Sequence, residues 1–221
     1  MTAPTSPFKS TDSPESIFDW FQMYSKQAAW VAAGLVVLAA GGWFYIRSQD
    51  LKTERAEKAY YEAQRSVISG NLPLAESDLK KMVTRYDGTR PAMQARLLLA
   101  QVMFDQGKFQ PGVDELKQAE DEIGGSKEFG SSVHLVLAGG LEQLKKYKEA
   151  GAQYEEAAKA ARFAPDRERY ETLAARAYLT GGDTAKAREL WTKLGADSKG
   201  TVAGEARVRL GELEAKAQPA S

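Results

Sequence analysis

The chain has one histidine, His134, and no cysteine, so few side chains offer covalent or metal chemistry. Without cysteine, the sequence excludes thiolate nucleophiles, zinc fingers and disulfides. His134 falls on the same helical side as Leu137 and Leu141, a spacing typical of a buried helix face. We therefore predict that His134 is a packed or hydrogen-bonded residue and not a catalytic one.

Two other patterns resemble parts of catalytic or phosphate-binding sites. Acidic residues cluster at Glu155-Glu156 and at residues 120–122, but they lie on polar helix faces, which predicts solvated surface. Glycine-rich pieces at residues 124–126 and 181–183 lack the preceding β-strand that a phosphate-binding loop requires. The sequence thus predicts no enzyme, no cofactor, no metal site and no small-molecule substrate.

The charges of the chain are balanced, with 30 basic and 30 acidic residues. They are mixed along the sequence, and no basic stripe of the kind that nucleic acid binding needs is present. We therefore expect protein partners and no nucleic acid partner.

Residues 28–46 (AAWVAAGLVVLAAGGWFYI) contain no charged or strongly polar side chain. A helix of this length, rising about 1.5 Å per residue, matches the roughly 30 Å hydrocarbon core of a bilayer. Aromatic residues near both ends are typical of membrane interfaces, and small residues allow another spanning helix to approach closely. The predicted anchor residues are Trp30, Gly34, Gly41, Gly42, Trp43 and Tyr45.

Two alternatives to a membrane anchor are disfavoured. A cleaved signal peptide has a shorter apolar run that starts earlier and follows a basic leader. A buried helix of a soluble protein is not expected at this length without one polar residue. We predict an uncleaved transmembrane helix at residues 28–46, with the lipid bilayer as one partner.

The segment before the apolar stretch divides into two parts. Residues 1–14 are rich in Ser, Thr and Pro, which predicts a disordered tail. Residues 15–27 carry apolar and aromatic side chains on one side and polar ones on the other, which predicts an interfacial amphipathic helix. The alternative is that residues 15–27 simply extend the spanning helix.

The membrane orientation has arguments on both sides. Basic residues, among them Arg47, Lys52 and Arg55, are more frequent after the apolar stretch than before it, which favours a cytoplasmic C-terminal domain. Acidic residues are interleaved with them, however, and large domains cross membranes largely regardless of charge.

Residues 47–217 contain four copies of one pattern, separated by steps of 37, 38 and 37 residues. Each copy has an alanine, a small residue twelve positions later, and a bulky residue four positions after that. These sets are Ala63, Ala100, Ala138 and Ala175; Ala75, Gly112, Ala150 and Ala187; and Leu79, Leu116, Tyr154 and Trp191. A helix break lies within each copy, at Gly70, Gly107, Lys145 and Gly182.

Paired helices with a small residue midway along each are the tetratricopeptide pattern, whose usual period is about 34 residues. Residues 145–165 resemble the consensus of that family most closely. The predicted fold is all-α, with the N-terminal transmembrane helix followed by an α-solenoid of about four tetratricopeptide-like helical hairpins and a C-terminal capping helix. An unrelated helical bundle is the alternative.

The predicted repeat domain spans residues 47–217, and residues 218–221 form a tail. Its helices are predicted at residues 51–69, 74–86, 92–106, 111–123, 127–144, 148–162, 165–180, 184–195 and 201–216.

Such a stack provides a groove lined by the first helix of each hairpin. The family's groove positions, placed on this sequence, predict a partner groove at Tyr60, Gln64, Gln101, Phe104, Glu142, Gln143, Arg176 and Leu179. The alternative is that these are ordinary surface residues.

With an anchor and repeats both present, the chain resembles a bacterial family of single-pass membrane proteins, the ancillary subunit of the Sec translocon. The resemblance covers about residues 20–215 and rests on GWFYIR at residues 42–47, AEKAYYEA at 56–63 and GDTAKARELW at 182–191. It implies a bacterial inner-membrane protein with a periplasmic C-terminal domain. It also implies partners among the translocon subunits and the membrane-bound folding factors.

We therefore expect a membrane-anchored protein–protein interaction adaptor associated with the Sec translocon and extracytoplasmic folding factors. The alternative function is a structural or scaffold subunit of another membrane complex, respiratory or photosynthetic, held mainly by its transmembrane helix.

Overall fold

A computed structural model describes residues 14–123, 126–197 and 200–217, which are helical and contain no β-strand. The helices are α1 (Pro14–Ile68), α2 (Leu72–Arg85), α3 (Arg90–Asp105), α4 (Phe109–Ile123), α5 (Gly130–Gln143), α6 (Tyr147–Ala160), α7 (Ala164–Thr180), α8 (Thr184–Ala196) and α9 (Ala203–Ala217). The predicted tail at residues 218–221 and the predicted disordered tail, except Pro14, lie outside the described residues.

The described residues form two compact units, divided between Leu51 and Lys52. In the first unit, the large apolar side chains from Trp30 to Ile46 are 62% to 80% exposed. The segment Ala29–Ile68 includes an 18-residue window of mean hydropathy 1.8, so α1 is long and apolar enough to cross a membrane. The helix has no break between residues 15–27 and the apolar stretch, as in the alternative that residues 15–27 extend the spanning helix. An interfacial position for these residues stays a prediction.

The second unit is a stack of four helical hairpins and a final helix. Residues 52–68 of α1 pack on α2 through Ala56, Ala63, Ala75 and Leu79. The next hairpins are α3 with α4, α5 with α6, and α7 with α8, and α9 packs on α8. The predicted all-α solenoid with a C-terminal capping helix is thereby confirmed.

The core repeats the sequence pattern in every hairpin. The alanine and small-residue positions are buried, because they lie where the two helices of a hairpin cross closely. The bulky residues fill the space between hairpins, and Leu79, Leu116 and Trp191 are 0% exposed while Tyr154 is 4% exposed. The repeat register predicted from the sequence is therefore confirmed.

The turn within each hairpin also has one repeated geometry. The second residue after the first helix has a positive φ, 74° at Gly70 and Gly107, 79° at Gly182, and 59° at Lys145. The next backbone N–H then bonds a carbonyl five residues back, as in Asn71 to Ser66 at 3.1 Å, which closes the helix end. Lys145 is the one described residue other than glycine with a positive φ.

We expect Lys145→Gly to raise the free energy of unfolding by about 1 kcal/mol, because a side chain is strained in this left-handed conformation. Urea denaturation followed by circular dichroism measures the change. The matched control is Gly182→Ala, at the equivalent turn, where a Cβ would meet no atom within 4 Å and only backbone strain acts. Gly182→Ala should lower the free energy of unfolding by about 1 kcal/mol. If both variants change the stability in the same direction, backbone strain at this turn position is not the cause.

Three helix starts follow from their capping residues. Asn71, Thr89 and Asp183 accept hydrogen bonds from backbone N–H groups at 3.2, 3.4 and 3.2 Å and so fix the starts of α2, α3 and α8. The predicted start of α5 at residue 127 is wrong. Ser126 Oγ accepts the backbone N–H groups of Glu128 and Phe129 at 3.3 Å each, which holds residues 127–129 in a turn before the helix.

Glu76 of α2 joins the first hairpin to the second. Its Oε2 accepts hydrogen bonds from Lys108 Nζ at 2.6 Å and from Gln106 Nε2 at 2.9 Å, and its Oε1 accepts one from Lys80 at 2.6 Å. Lys108 and Lys80 stabilise the carboxylate and lower the pKa of Glu76 to about 2, although its burial opposes this. A mostly buried charge is therefore fully paired across the hairpin boundary.

The lowered pKa of Glu76 predicts how the free energy of unfolding depends on pH. The unfolded chain has the ordinary glutamate pKa of 4.5, so the stabilising contribution is complete above that pH and is lost as the pH falls towards 2. Because both lysines are about half exposed, we expect the ionised Glu76 side chain to contribute about 1–2 kcal/mol to the free energy of unfolding at pH 7. Denaturation of the wild type and Glu76→Gln between pH 2 and 7 measures it. If the difference in unfolding free energy between the wild type and Glu76→Gln grows as the pH falls, the lowered pKa of Glu76 is contradicted.

Candidate functional site

His134 links three helices by hydrogen bonds. Its Nδ1 lies 2.7 Å from Gln153 Oε1 on α6, and Gln153 Nε2 donates to Glu120 Oε1 on α4 at 2.9 Å. The histidine is 8% exposed, so it is a buried, hydrogen-bonded residue, as predicted.

Of the acidic pair on α6, Glu155 contacts α7, whereas Glu156 pairs only within α6 and its side chain is 46% exposed, as expected for a solvated face. Tyr178 Oη donates to Glu155 Oε1 at 2.5 Å, and Lys159 Nζ donates to Glu156 Oε1 at 2.6 Å. Burial raises the pKa of Tyr178 to about 12, so it stays a donor at neutral pH. Within the described side chains, no group of three or more His, Asp or Glu residues is placed to hold a metal ion. Gly124 and Gly125 lie outside the described residues.

The four first helices present a repeated surface, which we call the first-helix face. It is defined by the position directly after each buried alanine, occupied by Gln64, Gln101, Gly139 and Arg176. These residues follow the same steps of 37, 38 and 37 residues as the core pattern. Three of the four were predicted as groove residues.

The predicted groove residues differ in exposure. The exposed ones are Gln101, Gln143 and Arg176, and the half-buried ones are Tyr60, Gln64, Phe104, Glu142 and Leu179. The exposed residues available to a partner are thus mainly uncharged amides, since the guanidinium of Arg176 is paired with Glu205 of α9.

Tyr60 and Glu142 are held by neighbouring side chains. The Tyr60 ring packs on the core of the first hairpin and meets Tyr61 edge-on, with ring centroids 6.3 Å apart. Its burial raises the pKa of Tyr60. Glu142 Oε2 accepts a hydrogen bond from Tyr154 Oη at 3.1 Å, and burial together with this carboxylate raises the pKa of Tyr154. Both residues therefore have internal contacts as well as a half-exposed surface.

Phe104 is a packing residue. A Cβ added to Gly112 of α4 would lie 2.5 Å from the Phe104 ring, and one added to Gly140 of α5 would lie 2.4 Å from it. The ring therefore lies between two glycines from different helices, and it also contacts Phe109, with ring centroids 6.1 Å apart. Leu179, at the equivalent half-buried position of α7, packs on the same core cluster.

Gly139 is the register position that the predicted groove omits. The spacing of the repeats identifies this position, because Gly139 falls 38 residues after Gln101 and 37 before Arg176. A Cβ on Gly139 would meet no atom within 4 Å, so the first-helix face has an open gap at this point.

The predicted anchor residues lie together on α1. Trp30, Trp43 and Tyr45 are strongly exposed in the structure. A Cβ on Gly34, Gly41 or Gly42 would meet no atom within 4 Å, so none of these glycines is required by a contact in the described chain.

Comparisons with known proteins agree with this architecture. The tetratricopeptide repeat-like domain family matches residues 19–215. No curated protein matches the chain significantly.

Solved structures are similar in fold at low sequence identity. The nearly identical TPR-like repeats of a putative kinesin light chain from Podosopora anserina share 18% identity, with a TM-score of 0.55 over 74% of this chain and 87% of that one. BtubC (BKLC) from P. vanneervenii shares 15% identity, with a TM-score of 0.54 over 76% of this chain and 84% of that one. With four register-equivalent hairpins and a family match over most of its length, this chain belongs to the tetratricopeptide repeat-like domain family.

Proposed function

We propose that the protein is a membrane-anchored adaptor that binds a segment of partner proteins on its first-helix face. The observation that carries the proposal is the alignment of Gln64, Gln101, Gly139 and Arg176 at one register position of four successive hairpins. Repeat domains of this family mediate protein–protein interactions, and a row of equivalent positions offers a continuous binding surface.

Membrane anchoring is supported by α1. Its apolar segment is long enough to cross a bilayer, and its large apolar side chains have no protein partner within the described chain. Such a surface is stable in lipid and unstable in water.

The finer proposal places the repeat domain in the bacterial periplasm, beside the Sec translocon and membrane-bound folding factors. Its support is the resemblance at residues 42–47, 56–63 and 182–191. A tag after Ser221 should be cleaved by protease in spheroplasts, and translocon subunits should co-purify after mild detergent extraction. A protected tag would place the domain in the cytoplasm.

A photocrosslinking amino acid in the full-length protein tests the adaptor function in native membranes. Matched glutamine positions are available: Gln101 and Gln143 on first helices, and Gln110 and Gln118 on the second helix α4, all four exposed. We expect discrete protein adducts from the first pair and few from the second. Equal yields from both pairs would overturn the proposed face.

A second candidate function is a structural subunit of another membrane complex, respiratory or photosynthetic, held by its transmembrane helix. The observation that favours it is the open space at Gly34, Gly41 and Gly42, where another helix can approach closely. Replacing residues 28–46 with an unrelated apolar helix separates the two functions. Retained adducts at Gln101 support the adaptor, whereas their loss together with loss of co-purification supports the structural subunit.

A further inference from the structure

The turn between α5 and α6 carries three exposed lysines, Lys145, Lys146 and Lys148, which we call the lysine turn. Lys146 Nζ donates to the amide oxygen of Gln110 at 3.4 Å. None of the three lysines forms an ion pair with a described residue. The lysine turn is therefore a local concentration of positive charge in a chain whose total charge is balanced.

Lysines at two neighbouring turns are paired with carboxylates from another helix. Lys108, between α3 and α4, lies 2.6 Å from Glu76 Oε2, and Lys186, at the start of α8, lies 3.4 Å from Glu155 Oε1. Both lysines thus take part in contacts between helices. The fold makes no such use of the charges of the lysine turn.

The acidic side chains near the lysine turn have other partners. Glu149 Oε2 lies 3.6 Å from Lys117 Nζ of α4, and Glu142 accepts a hydrogen bond from Tyr154 Oη at 3.1 Å. Asp183, at the next turn, caps the start of α8. These carboxylates are therefore engaged elsewhere, and the three ammonium groups have no counter-charge within the described chain.

The backbone of the lysine turn is strained. Lys145 has a φ of 59°, at a position where the other three hairpins have glycine. A side chain in this left-handed conformation costs about 1 kcal/mol. Strained residues of this kind cluster at functional sites, because the strain is otherwise relieved by substitution. The strain thus agrees with a use for the charge of Lys145.

The lysine turn borders a recess of about 380 Å³, which it shares with Thr180 and Gly181 of the following hairpin. Tyr147 and Glu149 also line this recess. A Cβ added to Gly181 would lie 3.1 Å from Cγ of Lys148, so the stem of this lysine packs on the next hairpin. The recess is therefore formed by two hairpins, with the basic residues on one side and uncharged groups on the other.

We propose that the lysine turn docks an acidic segment of a partner protein. Carboxylates of the segment supply the counter-charges that the three ammonium groups lack, and part of the segment occupies the recess. Unpaired charges of one sign at the border of a recess attract a partner of the opposite sign and increase its rate of association. This surface is separate from the first-helix face, so the two proposals do not depend on each other.

The position of the lysine turn in the stack favours a protein over a lipid surface. The hairpin turns lie at the C-terminal ends of the first helices, and the chain enters the second unit at the N-terminal end of residues 52–68. This helical segment alone rises about 25 Å, at about 1.5 Å per residue. The lysine turn thus lies at the opposite edge of the stack from residue 52, the end that is connected to the proposed anchor.

Fluorescence anisotropy of a labelled peptide, titrated with the full-length protein in nonionic detergent, tests the proposal. The probe is a peptide of about 12 residues, half of them Asp or Glu, and its control copy has Asn and Gln at these positions. We expect the acidic peptide to bind at least tenfold more tightly at low ionic strength, and the difference to shrink in high salt. No preference for the acidic peptide overturns the proposal.

Two double variants with the same change in charge locate the binding. Lys146→Gln with Lys148→Gln should weaken binding of the acidic peptide at least fivefold. Lys58→Gln with Lys81→Gln is the matched control, because these lysines are exposed but pair with acidic residues of their own helices. It should change the affinity less than twofold. An equal loss in both double variants would show a general charge effect and overturn the proposal.

Lys145 separates binding from stability. Lys145→Gly should be more stable than the wild type and yet bind the acidic peptide about two- to threefold more weakly, because it relieves the strain and removes one charge. Misfolding cannot produce this combination. Lys145→Arg keeps the charge and should keep the affinity. Unchanged binding by Lys145→Gly, or a loss as large in Lys145→Arg, overturns the proposal.

A photocrosslinking amino acid at residue 146, in native membranes, distinguishes a protein partner from lipid. Mass spectrometry of the adducts should identify protein segments rich in Asp and Glu. Adducts with lipid alone, or with segments that are not acidic, overturn the proposal. Adducts at Gln101 report on the first-helix face, so their absence rejects the proposed function and leaves the lysine turn standing.

Discussion

Replacing Trp191 with alanine should lower the free energy of unfolding by about 3–5 kcal/mol, the usual cost of truncating a buried aromatic side chain. Trp191 is the largest fully buried side chain among the described residues. It belongs to the core cluster that joins α7, α8 and α9, so the alanine variant leaves a cavity at the C-terminal end of the stack. Urea denaturation of the full-length protein measures the loss.

Two variants control this experiment. Glu189→Ala, on the exposed side of the same helix, should change stability by less than about 0.5 kcal/mol. Trp191→Phe should lose much less stability than Trp191→Ala, because it retains most of the volume and removes an indole N–H that has no hydrogen-bond partner among the described residues. A Trp191→Ala protein as stable as Glu189→Ala would show that α9 does not depend on this residue.

Gly140→Ala should destabilise the protein by about 1–3 kcal/mol, although alanine is the better helix former. The new methyl group would lie 2.4 Å from Phe104, which Gly112 confines on its other side. Gly139→Ala, one residue earlier, should have the opposite effect and raise the free energy of unfolding by about 1 kcal/mol, because alanine favours the helix. Thermal unfolding of the two variants side by side measures this difference.

A double-mutant cycle identifies the cause of the loss at Gly140. In a Phe104→Leu background the smaller side chain leaves room for the methyl group, so Gly140→Ala should cost at least about 1 kcal/mol less. An unchanged cost in that background would mean that Val113, not Phe104, is the residue that excludes a Cβ.

The repeat register was predictable because it depends on residue size at fixed spacing. Ala63 and its equivalents must be small wherever two helices cross, and Gly70 and its equivalents must adopt a positive φ. Lys145 was placed correctly at such a turn although its side chain is unsuited to it, because the neighbouring copies fixed the register.

The role of Phe104 could not be predicted in this way. Its spacing on α3 is that of a groove residue, but the glycines that enclose it come from α4 and α5. Likewise, the repeat register places Gly139 on the first-helix face, but only the space around Gly140 shows that packing requires a glycine there.

The stepwise packing of the hairpins has a consequence for motion. The main contacts in the second unit join helices of the same or the next hairpin. Residues 52–68 at one end and α9 at the other therefore have partners on one side only, so the stack is expected to fray from its ends and to be most rigid at α5 and α6. A segment bound to the first-helix face at α5 would therefore meet a preformed surface, while the outer helices adjust to its length.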